Sequence, residues 1–467
     1  MFAAADKANV ASLSYWFLSP SLILAIAGKL RGWDRTIPTP SVDWRRMTVD
    51  AVIPAKNEEA SIAAALASLF AQDFPLRRVV VFDDASTDRT AAVVRRYREA
   101  SGRMIELVSR RQSIGKTPAL REFCSQCDAD AVFILDADSV LVSRNYVSRV
   151  MEELFRNAGV AAACGEVMPL TGNRVEDIAR QDGGAQTVMT EFFPRARERS
   201  PFWKRLLTHL TILYRAPMYV LLQRTLYDGN LKLFGAQLNP VGCAVAYRTT
   251  RLRECFDYAG PLIGDNLSDS EDIYIGHFFN WKGYRNFQVL GVRCETTEPP
   301  IHRLPRQLFL WSSGFLQSSY YFGALVVSPL RQLKRLMPGS RRRTPEEQRQ
   351  RRAPEQYRAA WGEKITQRDG RPVGWLELIS LLEKITYPLV LLYLALFNQE
   401  AFWITLGAET LLCMVLILAT ADRGYRVKYA VMLVPALPVR VMSLGVDMLA
   451  AAKCLADITT GHREWKK

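Results

Sequence analysis

Long apolar segments near both ends of this 467-residue chain constrain its fold more than any other feature. The run Val10–Ala27 is uncharged and 18 residues long, which is just enough to cross a bilayer. Leu376–Phe397 and Phe402–Ala421 are predicted to form a transmembrane pair joined by a short turn. Between these ends the composition is that of an ordinary soluble domain. The chain is therefore predicted to be a soluble-type domain attached to a small helical membrane region.

Basic residues beside the apolar segments predict their orientation. Lys29, Arg31 and Arg35 follow the first run, and the region before the run is only weakly charged. Both features favour a retained membrane anchor over a cleaved secretory signal. The segment Arg331–Arg371 holds 13 Lys and Arg against five acidic residues, and so carries 8 of the 14 net positive charges. Such segments are typical of cytoplasmic loops that face anionic membrane lipids. Nucleic-acid binding is the alternative, but no nucleic-acid motif accompanies the charge, so no nucleic-acid partner is expected.

Strand and helix patterns alternate between Met47 and about Glu298. The predicted strands are Thr48–Pro54, Arg78–Phe82, Met104–Val108 and Ala131–Leu135, and the predicted helices are Glu58–Gln72, Thr87–Ala100 and Thr117–Cys127. This alternation indicates a parallel sheet with helices on both faces. Ligands of such sheets bind beyond the carboxyl ends of the strands.

Two further segments belong to the membrane region. Leu308–Val327 is rich in aromatic and small residues, and it is predicted to be an amphipathic segment at the membrane interface. Ala430–Val446 is apolar but contains two prolines and Arg440. Both a kinked span and a re-entrant segment fit this pattern.

Acidic residues follow the predicted strands. Asp83 and Asp84 come directly after the second strand, where a carboxylate can accept from a uracil N–H or from ribose hydroxyls. Taken alone, this cluster also fits a helix cap and turn. Asp136 and Asp138 are spaced by one residue at the end of an apolar strand, a pattern that suits Mg²⁺ bound together with substrate phosphates.

Two other short patterns are candidates for chemistry. Glu271 and Asp272 precede an apolar helical run, where they fit either an acidic first turn or a general base for an acceptor hydroxyl. Gly115-Lys116 stands at a loop-to-helix junction, where a lysine can present its charge to a diphosphate. Alone, Lys116 also fits a surface lysine.

The order of these motifs resembles family 2 of the glycosyltransferases, whose membrane members include hyaluronan, chitin, cellulose and chito-oligosaccharide synthases. The resemblance begins at Ala51–Glu59, which is similar to the family's first strand and donor-base loop. It continues through the motifs described above and covers about residues 47–311. It implies a GT-A type α/β domain with a Rossmann-like mixed sheet.

The resemblance also implies roles for individual residues. A UDP-sugar donor would be bound by Ala55, Glu58, Asp83, Asp84, Lys116 and Asp136. Asp138, with Asp136, would hold Mg²⁺ or Mn²⁺, and Asp272 beside Glu271 would be the catalytic base. Asn239–Ala244 is similar to the loop that lines the acceptor pocket.

One motif departs from the family pattern. Processive members usually carry Q-x-x-R-W on an interfacial helix, and here Gln307 and Trp311 are present while Leu310 holds the arginine position. Gln307 and Trp311 are the predicted acceptor-binding residues, although Trp311 also fits an interfacial anchor. Arg303 and Arg306 are candidates to replace the absent guanidinium.

The expected protein is thus a processive, inverting transferase that extends a polysaccharide through β-linkages and passes it across a membrane. Transfer of one sugar to a lipid acceptor, such as a polyprenyl phosphate or a glycolipid, is the alternative, and a catalytically inactive assembly subunit is a third. The expected layout is an anchor at 1–35, the transferase domain at 47–300, an interfacial segment at 301–330, a basic stretch at 331–373 and a membrane region at 374–467. The expected location is the inner membrane of a bacterium, with the catalytic domain in the cytoplasm.

Overall fold

The computed structural model of the protein describes residues 19–32, 42–157, 159–171, 174–193, 202–264, 267, 270–337, 367 and 370–461. Part of the predicted anchor and most of the basic stretch therefore lie outside the described residues.

The described strands form one mixed sheet in the order β3-β2-β1-β4-β7-β6-β8-β5. They are β1 (Val49–Ala55), β2 (Arg78–Asp83), β3 (Glu106–Ser109), β4 (Ala131–Leu135), β5 (Ser139–Leu141), β6 (Val160–Pro169), β7 (Ala244–Arg248) and β8 (Arg285–Thr296). The four strands predicted from sequence, β1 to β4, are parallel to one another. β7 runs antiparallel to both β4 and β6, so the expected parallel sheet extends over only half of the strands and the whole is mixed.

Helices cover both faces of the sheet and continue into a helical region. They are α1 (Pro20–Arg31), α2 (Ile62–Phe70), α3 (Thr90–Ser101), α4 (Lys116–Gln126), α5 (Tyr146–Arg156), α6 (Arg174–Gln181), α7 (Gly183–Phe192), α8 (Phe202–Leu221), α9 (Asp228–Phe234), α10 (Thr249–Ile263), α11 (Glu271–Lys282), α12 (Leu304–Tyr321), α13 (Gly323–Val326), α14 (Ser328–Leu336), α15 (Val373–Phe397), α16 (Gln399–Thr420), α17 (Arg426–Met432) and α18 (Leu437–Thr460).

The central strands are mostly apolar, since both of their faces are covered; the exception in β1 is the buried Asp50, which accepts from Arg77 at 2.8 Å and 2.7 Å. In β1, Ala51 and Ile53 pack into one core together with Leu66 of α2, whereas Val52 packs into a second core with Phe123 of α4. This alternation follows from the two-residue repeat of a strand. It fixes the sheet between two helical layers, so ligands have access to its edge rather than to its faces.

The antiparallel strand β7 brings a distant loop to the carboxyl edge of the parallel strands. Ala244, the first residue of β7, pairs with Leu135, the last residue of β4. The backbone N–H of Asp136 donates to the carbonyl of Cys243 at 2.8 Å. The loop before β7 therefore lies beside the acidic pair that follows β4.

In the part of the chain that the structure describes, two helices are long and apolar enough to cross a membrane, α15 and α16. α17 and α18 together are also long and apolar enough to cross a membrane if they are taken as one span. This pair is bent by 62° at the break between Met432 and Leu437. The sequence predicted a kinked or re-entrant segment here, and the bend confirms the irregularity. The apolar side chains of Leu396 and Phe397 are exposed, as expected for helices that face lipid.

Gly276 of α11 allows this helix to pack tightly against the loop before β7. A Cβ atom at Gly276 would lie 2.5 Å from the Cα of Asn239 and 2.7 Å from the carbonyl oxygen of Leu238. Both contacts are to backbone, so a methyl group has to displace the loop. The glycine therefore sets the distance between α11 and the loop.

We predict that Gly276→Ala lowers the melting temperature of the protein in detergent. Overpacking typically costs about 1–3 kcal/mol, more than the roughly 1 kcal/mol that alanine gains over glycine in a helix. Gly183→Ala is the matched control, because nothing lies within 4 Å of a Cβ atom at Gly183. Equal melting temperatures for the two variants would contradict the prediction.

Candidate active site

A cavity of about 940 Å³ extends from the carboxyl edge of the sheet into the helical region. Seven of the site residues predicted from sequence line it: Lys116, Asp136, Asp138, Glu271, Asp272, Gln307 and Trp311. The loop before β7 and residues of α15, α16 and α18 complete its wall. The structure therefore brings together motifs that are nearly 200 residues apart in the chain.

Lys116 connects two of the acidic motifs. Its Nζ lies 2.7 Å from Oδ1 of Asp136 and 2.8 Å from Oε1 of Glu271. Although burial opposes the charged form, the two carboxylates raise the pKa of Lys116 well above its ordinary value. The lysine is therefore a fixed positive charge on the cavity wall, and its position is set by the end of β4 and the start of α11.

Asp84 holds the loop that leads to Lys116. Its carboxylate accepts from the Ser113 hydroxyl at 2.6 Å, from the Ile114 N–H at 2.8 Å and from the Gly115 N–H at 3.0 Å. Burial by itself raises the pKa of Asp84, but these three hydrogen bonds outweigh it and lower the pKa. The contact with uridine that the resemblance implies stays a prediction, since in this structure the carboxylate binds the loop.

Three other predicted donor residues lie beside the cavity without lining it. Asp83 accepts from the N–H of Ser86 at 3.1 Å, and the carbonyl of Ala55 accepts from the N–H of Asp84 at 2.9 Å. Glu58 accepts from the Ser61 hydroxyl at 2.7 Å. These contacts shape the ends of β1 and β2, and the predicted roles in donor binding stay predictions.

Asp138 lies close to other carboxylates, so negative charge is concentrated around it. Burial and the nearby carboxylates of Asp136 and Glu58 raise the pKa of Asp138 to about 7, although Ser139 and Lys116 oppose this shift. No group of three or more His, Cys, Asp or Glu in the described part of the chain is arranged to hold a metal ion. Two carboxylates nevertheless fit Mg²⁺ or Mn²⁺, because such an ion takes its other ligands from water and substrate phosphates. The excess negative charge around Asp138 is what a cation would relieve.

Asp272 is half-buried at the start of α11. Its Oδ1 accepts from the Ser270 hydroxyl at 2.7 Å and its Oδ2 from the Gly242 N–H at 3.1 Å. Burial and the adjacent Glu271 raise the pKa of Asp272, while the hydrogen bond from Ser270 and the charge of Lys116 act against this. A carboxylate with raised basicity that is held by a loop and lines a cavity has the properties of a general base.

Arg215 of α8 is a site residue that the sequence analysis missed. Its guanidinium lies 4.2 Å from the ring centre of Trp311, and its Nη2 donates to Oε1 of Gln307 at 2.7 Å. Arg303 and Arg306, the candidates named from sequence, are both exposed. The guanidinium beside Trp311 thus comes from a helix more than 90 residues earlier in the chain, for which no local motif exists.

The membrane side of the cavity contains paired charges. Arg440 of α18 donates to Glu409 of α16 at 2.6 Å, and Lys384 of α15 donates to Asp447 of α18 at 2.8 Å. All four residues line the cavity. Ionisable side chains on membrane helices normally face a protein interior or a water-filled cavity. This half of the cavity therefore contains two ion pairs among apolar side chains.

Comparison with known proteins identifies the domain around this cavity. Residues 50–214 match the family model described as Glycosyl transferase family 2. Beta-monoglucosyldiacylglycerol synthase of Synechocystis sp. is 28% identical over 204 residues, which are 40% of this chain and 42% of that protein. Poly-beta-1,6-N-acetyl-D-glucosamine synthase of Staphylococcus epidermidis is 22% identical over 151 residues, 32% of this chain and 35% of that protein. The matched region thus spans less than half of the length of these two relatives.

Among solved structures, a mannosyltransferase from Pyrobaculum calidifontis in complex with GDP-Man and Mn²⁺ covers 93% of this chain and 98% of its own chain. It has a TM-score of 0.45 and 18% sequence identity.

We predict that the stability of metal-free protein falls as the pH rises towards 7. The pKa of Asp138 is about 7 in the folded protein against an ordinary value of 3.8, so the folded state binds this proton more tightly than the unfolded state. The stabilisation that the bound proton gives is lost as the pH rises through this range. Asp138→Asn removes this titration, so its melting temperature should exceed that of wild type at pH 8 and not at pH 4.

Addition of Mn²⁺ at pH 8 tests whether Asp138 is part of a metal site. A ligand at 100 times its Kd stabilises the folded state by about 2.7 kcal/mol. Mn²⁺ should therefore raise the melting temperature of wild type and not that of Asp138→Asn. Equal stabilisation of both proteins would remove Asp138 from the metal site.

Proposed function

We propose that this chain, which carries a family 2 glycosyl transferase domain at residues 50–214, transfers a sugar from a nucleoside-diphosphate donor to an acceptor that enters from the membrane helices. The observation that carries the proposal is the continuity of one cavity. Lys116, Asp138 and Asp272 line its domain end, and Arg440 and Asp447 line its membrane end. A donor at the sheet edge and an acceptor from the membrane would meet in this space.

We assign the residues on the cavity wall separate roles in the reaction. Asp136 and Asp138 would hold Mg²⁺ or Mn²⁺, which when bound neutralises charge on the departing diphosphate. Lys116 adds a fixed positive charge at the same place. Asp272 accepts the proton of the acceptor hydroxyl while that oxygen bonds to the anomeric carbon and the bond to the donor phosphate breaks. One such displacement inverts the anomeric centre, so an α-linked UDP-sugar would give a β-linkage.

We predict that Asp272→Asn slows sugar transfer by about 10²–10⁴-fold, the usual contribution of a general base. The amide keeps the size of the side chain and removes its basicity, so UDP binding measured by calorimetry should stay unchanged. Asp257→Asn, at an exposed position of α10, is the matched control and should transfer at the wild-type rate. Near-normal transfer by Asp272→Asn would rule out the proposed base.

The acceptor we favour is a growing polysaccharide, extended by processive transfer and passed across the membrane. A chain with many hydroxyl groups suits a cavity whose membrane half is lined by Glu409, Arg440, Lys384 and Asp447. Trp311 on the same wall supplies an aromatic face on which a sugar ring can stack. The similarity to a poly-beta-1,6-N-acetyl-D-glucosamine synthase is in keeping with this product.

Transfer of a single sugar to a lipid is the second candidate. Leu310 stands where processive members of the family usually have an arginine. The similarity to a beta-monoglucosyldiacylglycerol synthase also favours a glycolipid product.

We also propose that the catalytic domain faces the cytoplasm of a bacterium from its inner membrane. Nucleotide sugars are made in the cytoplasm, and the basic segment Arg331–Arg371 lies between the domain and α15. Lys and Arg concentrate on the cytoplasmic side of membrane spans.

We predict that Trp311→Ala shortens the product before it stops donor turnover. By analogy with base–aromatic stacking, loss of the ring should weaken product retention by about 1–3 kcal/mol, and each ~1.4 kcal/mol is tenfold. The measurement is a sizing gel of radiolabelled product from membranes supplied with a panel of UDP-sugars. Trp203→Ala, which removes an exposed tryptophan from α8, is the control and should leave product length unchanged. A discrete lipid-extractable product carrying one sugar in the wild type would contradict the polymer proposal.

A further inference from the structure

A buried ion pair connects the helix of the proposed base with a membrane helix. His277 of α11 and Glu377, near the start of α15, both have fully buried side chains, with 0% of each exposed. Nε2 of His277 lies 2.9 Å from Oε2 of Glu377 and 3.1 Å from its Oε1. Ser319 of α12 donates its hydroxyl to the same Oε1 at 2.6 Å, and the ring of Phe315 packs edge to face with the imidazole. Helices α11, α12 and α15 therefore meet at one charged contact from which water is excluded.

The contacts of the imidazole determine its protonation state. Nδ1 lies 2.8 Å from the carbonyl oxygen of Ile273, and a carbonyl can only accept, so Nδ1 carries a proton. Nε2 faces a carboxylate, which also accepts. Burial by itself lowers the pKa of His277, but the charge of Glu377 and the hydrogen bonds to Glu377 and Ile273 outweigh it and raise the pKa. His277 is therefore an imidazolium that donates from both of its nitrogens.

One further hydrogen bond extends this chain of contacts to the proposed base. The backbone N–H of Ile273 donates to Oδ1 of Asp272 at 2.9 Å. Ile273 thus accepts from the imidazolium at its carbonyl oxygen and holds the carboxylate with its N–H. A continuous chain of hydrogen bonds and backbone runs from Asp272 through Ile273 and His277 to Glu377 on the membrane helix.

Stability alone gives a weak reason for this pair. Replacing a buried ion pair by apolar side chains of similar volume is often neutral or stabilising. Such a replacement would leave few polar groups without a partner here. The carbonyl of Ile273 would still accept from the backbone N–H four residues later, as in any α-helix, and the hydroxyl of Ser319 already lies 2.9 Å from the carbonyl oxygen of Phe315. What a directional pair adds to apolar packing is a fixed register between α11 and α15.

We propose that His277 is a positioning residue for Asp272, and that its pairing with Glu377 fixes the carboxylate of the base relative to the membrane helix α15. This inference rests on the proposed function and adds to it two residues that do not touch the substrate. Asp272 lines the cavity, whereas His277 and Glu377 do not, so the pair acts on sugar transfer through Asp272.

The test measures sugar transfer, UDP affinity and melting temperature on full-length protein in nanodiscs. His277→Met combined with Glu377→Met replaces the ion pair by apolar side chains of similar size. His277→Gln combined with Glu377→Gln removes both charges and still allows a hydrogen bond between the two side chains. His209→Gln, at an exposed position of α8, is the matched control. Transfer is followed with radiolabelled UDP-sugars, and UDP affinity is measured by calorimetry.

We expect the methionine pair to melt close to the wild-type temperature, to bind UDP with unchanged affinity and to lower kcat by about tenfold or more. The physical reason is that a misplacement of about 1 Å at a catalytic group can cost roughly 10²-fold in rate. The glutamine pair should retain part of the lost rate, and His209→Gln should transfer like wild type. If the methionine pair does not fold, the glutamine pair carries the comparison with the same expected sign.

The same double substitutions in an Asp272→Asn background show whether the pair acts through the base. Neither pair should lower the residual rate further, because the group that is positioned has already lost its function.

Two results would overturn the positioning role: a wild-type kcat in the methionine pair, or a loss of rate in the Asp272→Asn background as large as that in the wild-type background. Weaker UDP binding in step with the loss of rate would also count against it, since it indicates a general distortion of the site. Failure of the proposed function has a different signature, namely a wild-type protein that transfers no sugar from any nucleotide sugar, and the inference would fail with it.

Discussion

The contact of Lys116 with Asp136 and Glu271 is the interaction on which the rest of the site depends. It joins the start of α4, the end of β4 and the start of α11, which are separated by up to 155 residues in the sequence. Without the ammonium group, Asp136, Asp138, Glu271 and Asp272 would concentrate negative charge in one buried space. Lys116 permits this concentration and still leaves Asp138 and Asp272 with raised pKa values, which favour cation binding at one and proton acceptance at the other.

The helix that carries the proposed base is also fixed from the membrane side. His277 of α11 and Glu377 of α15 are both fully buried, and their Nε2 and Oε2 atoms lie 2.9 Å apart. Ser319 of α12 donates to the same carboxylate at 2.6 Å. Removing one partner of a buried pair normally destabilises a protein strongly, so α11 is held in register with α15 and α12. The position of Asp272 therefore depends on the membrane helices as well as on the sheet.

The sequence predicted the local features of this fold and missed the non-local ones. The strand at Ala131–Leu135 was predicted with its observed bounds, and the helix at Thr117–Cys127 lies within one residue of α4, because a continuous apolar run and a helical repeat are properties of neighbouring residues. Residues 50–214 match the family expected from the ordered motifs, and the mixed sheet of the expected GT-A type is confirmed. Arg215 was missed because its contacts with Gln307 and Trp311 join α8 to α12, which no spacing along the chain encodes.

The contacts of Arg215 change how the absence of an arginine at position 310 is interpreted. In the linear motif, leucine at this position removes a guanidinium from the residue beside Trp311. In the folded protein, Arg215 stacks on that indole and binds Gln307, so the positive charge is present but is supplied by α8. The Nε of Arg215 also lies 3.8 Å from Oε2 of Glu298, so a carboxylate balances this positive charge. Under the proposed function, retention of the product would therefore depend on the wall formed by α12, α15, α16 and α18 more than on the identity of residue 310.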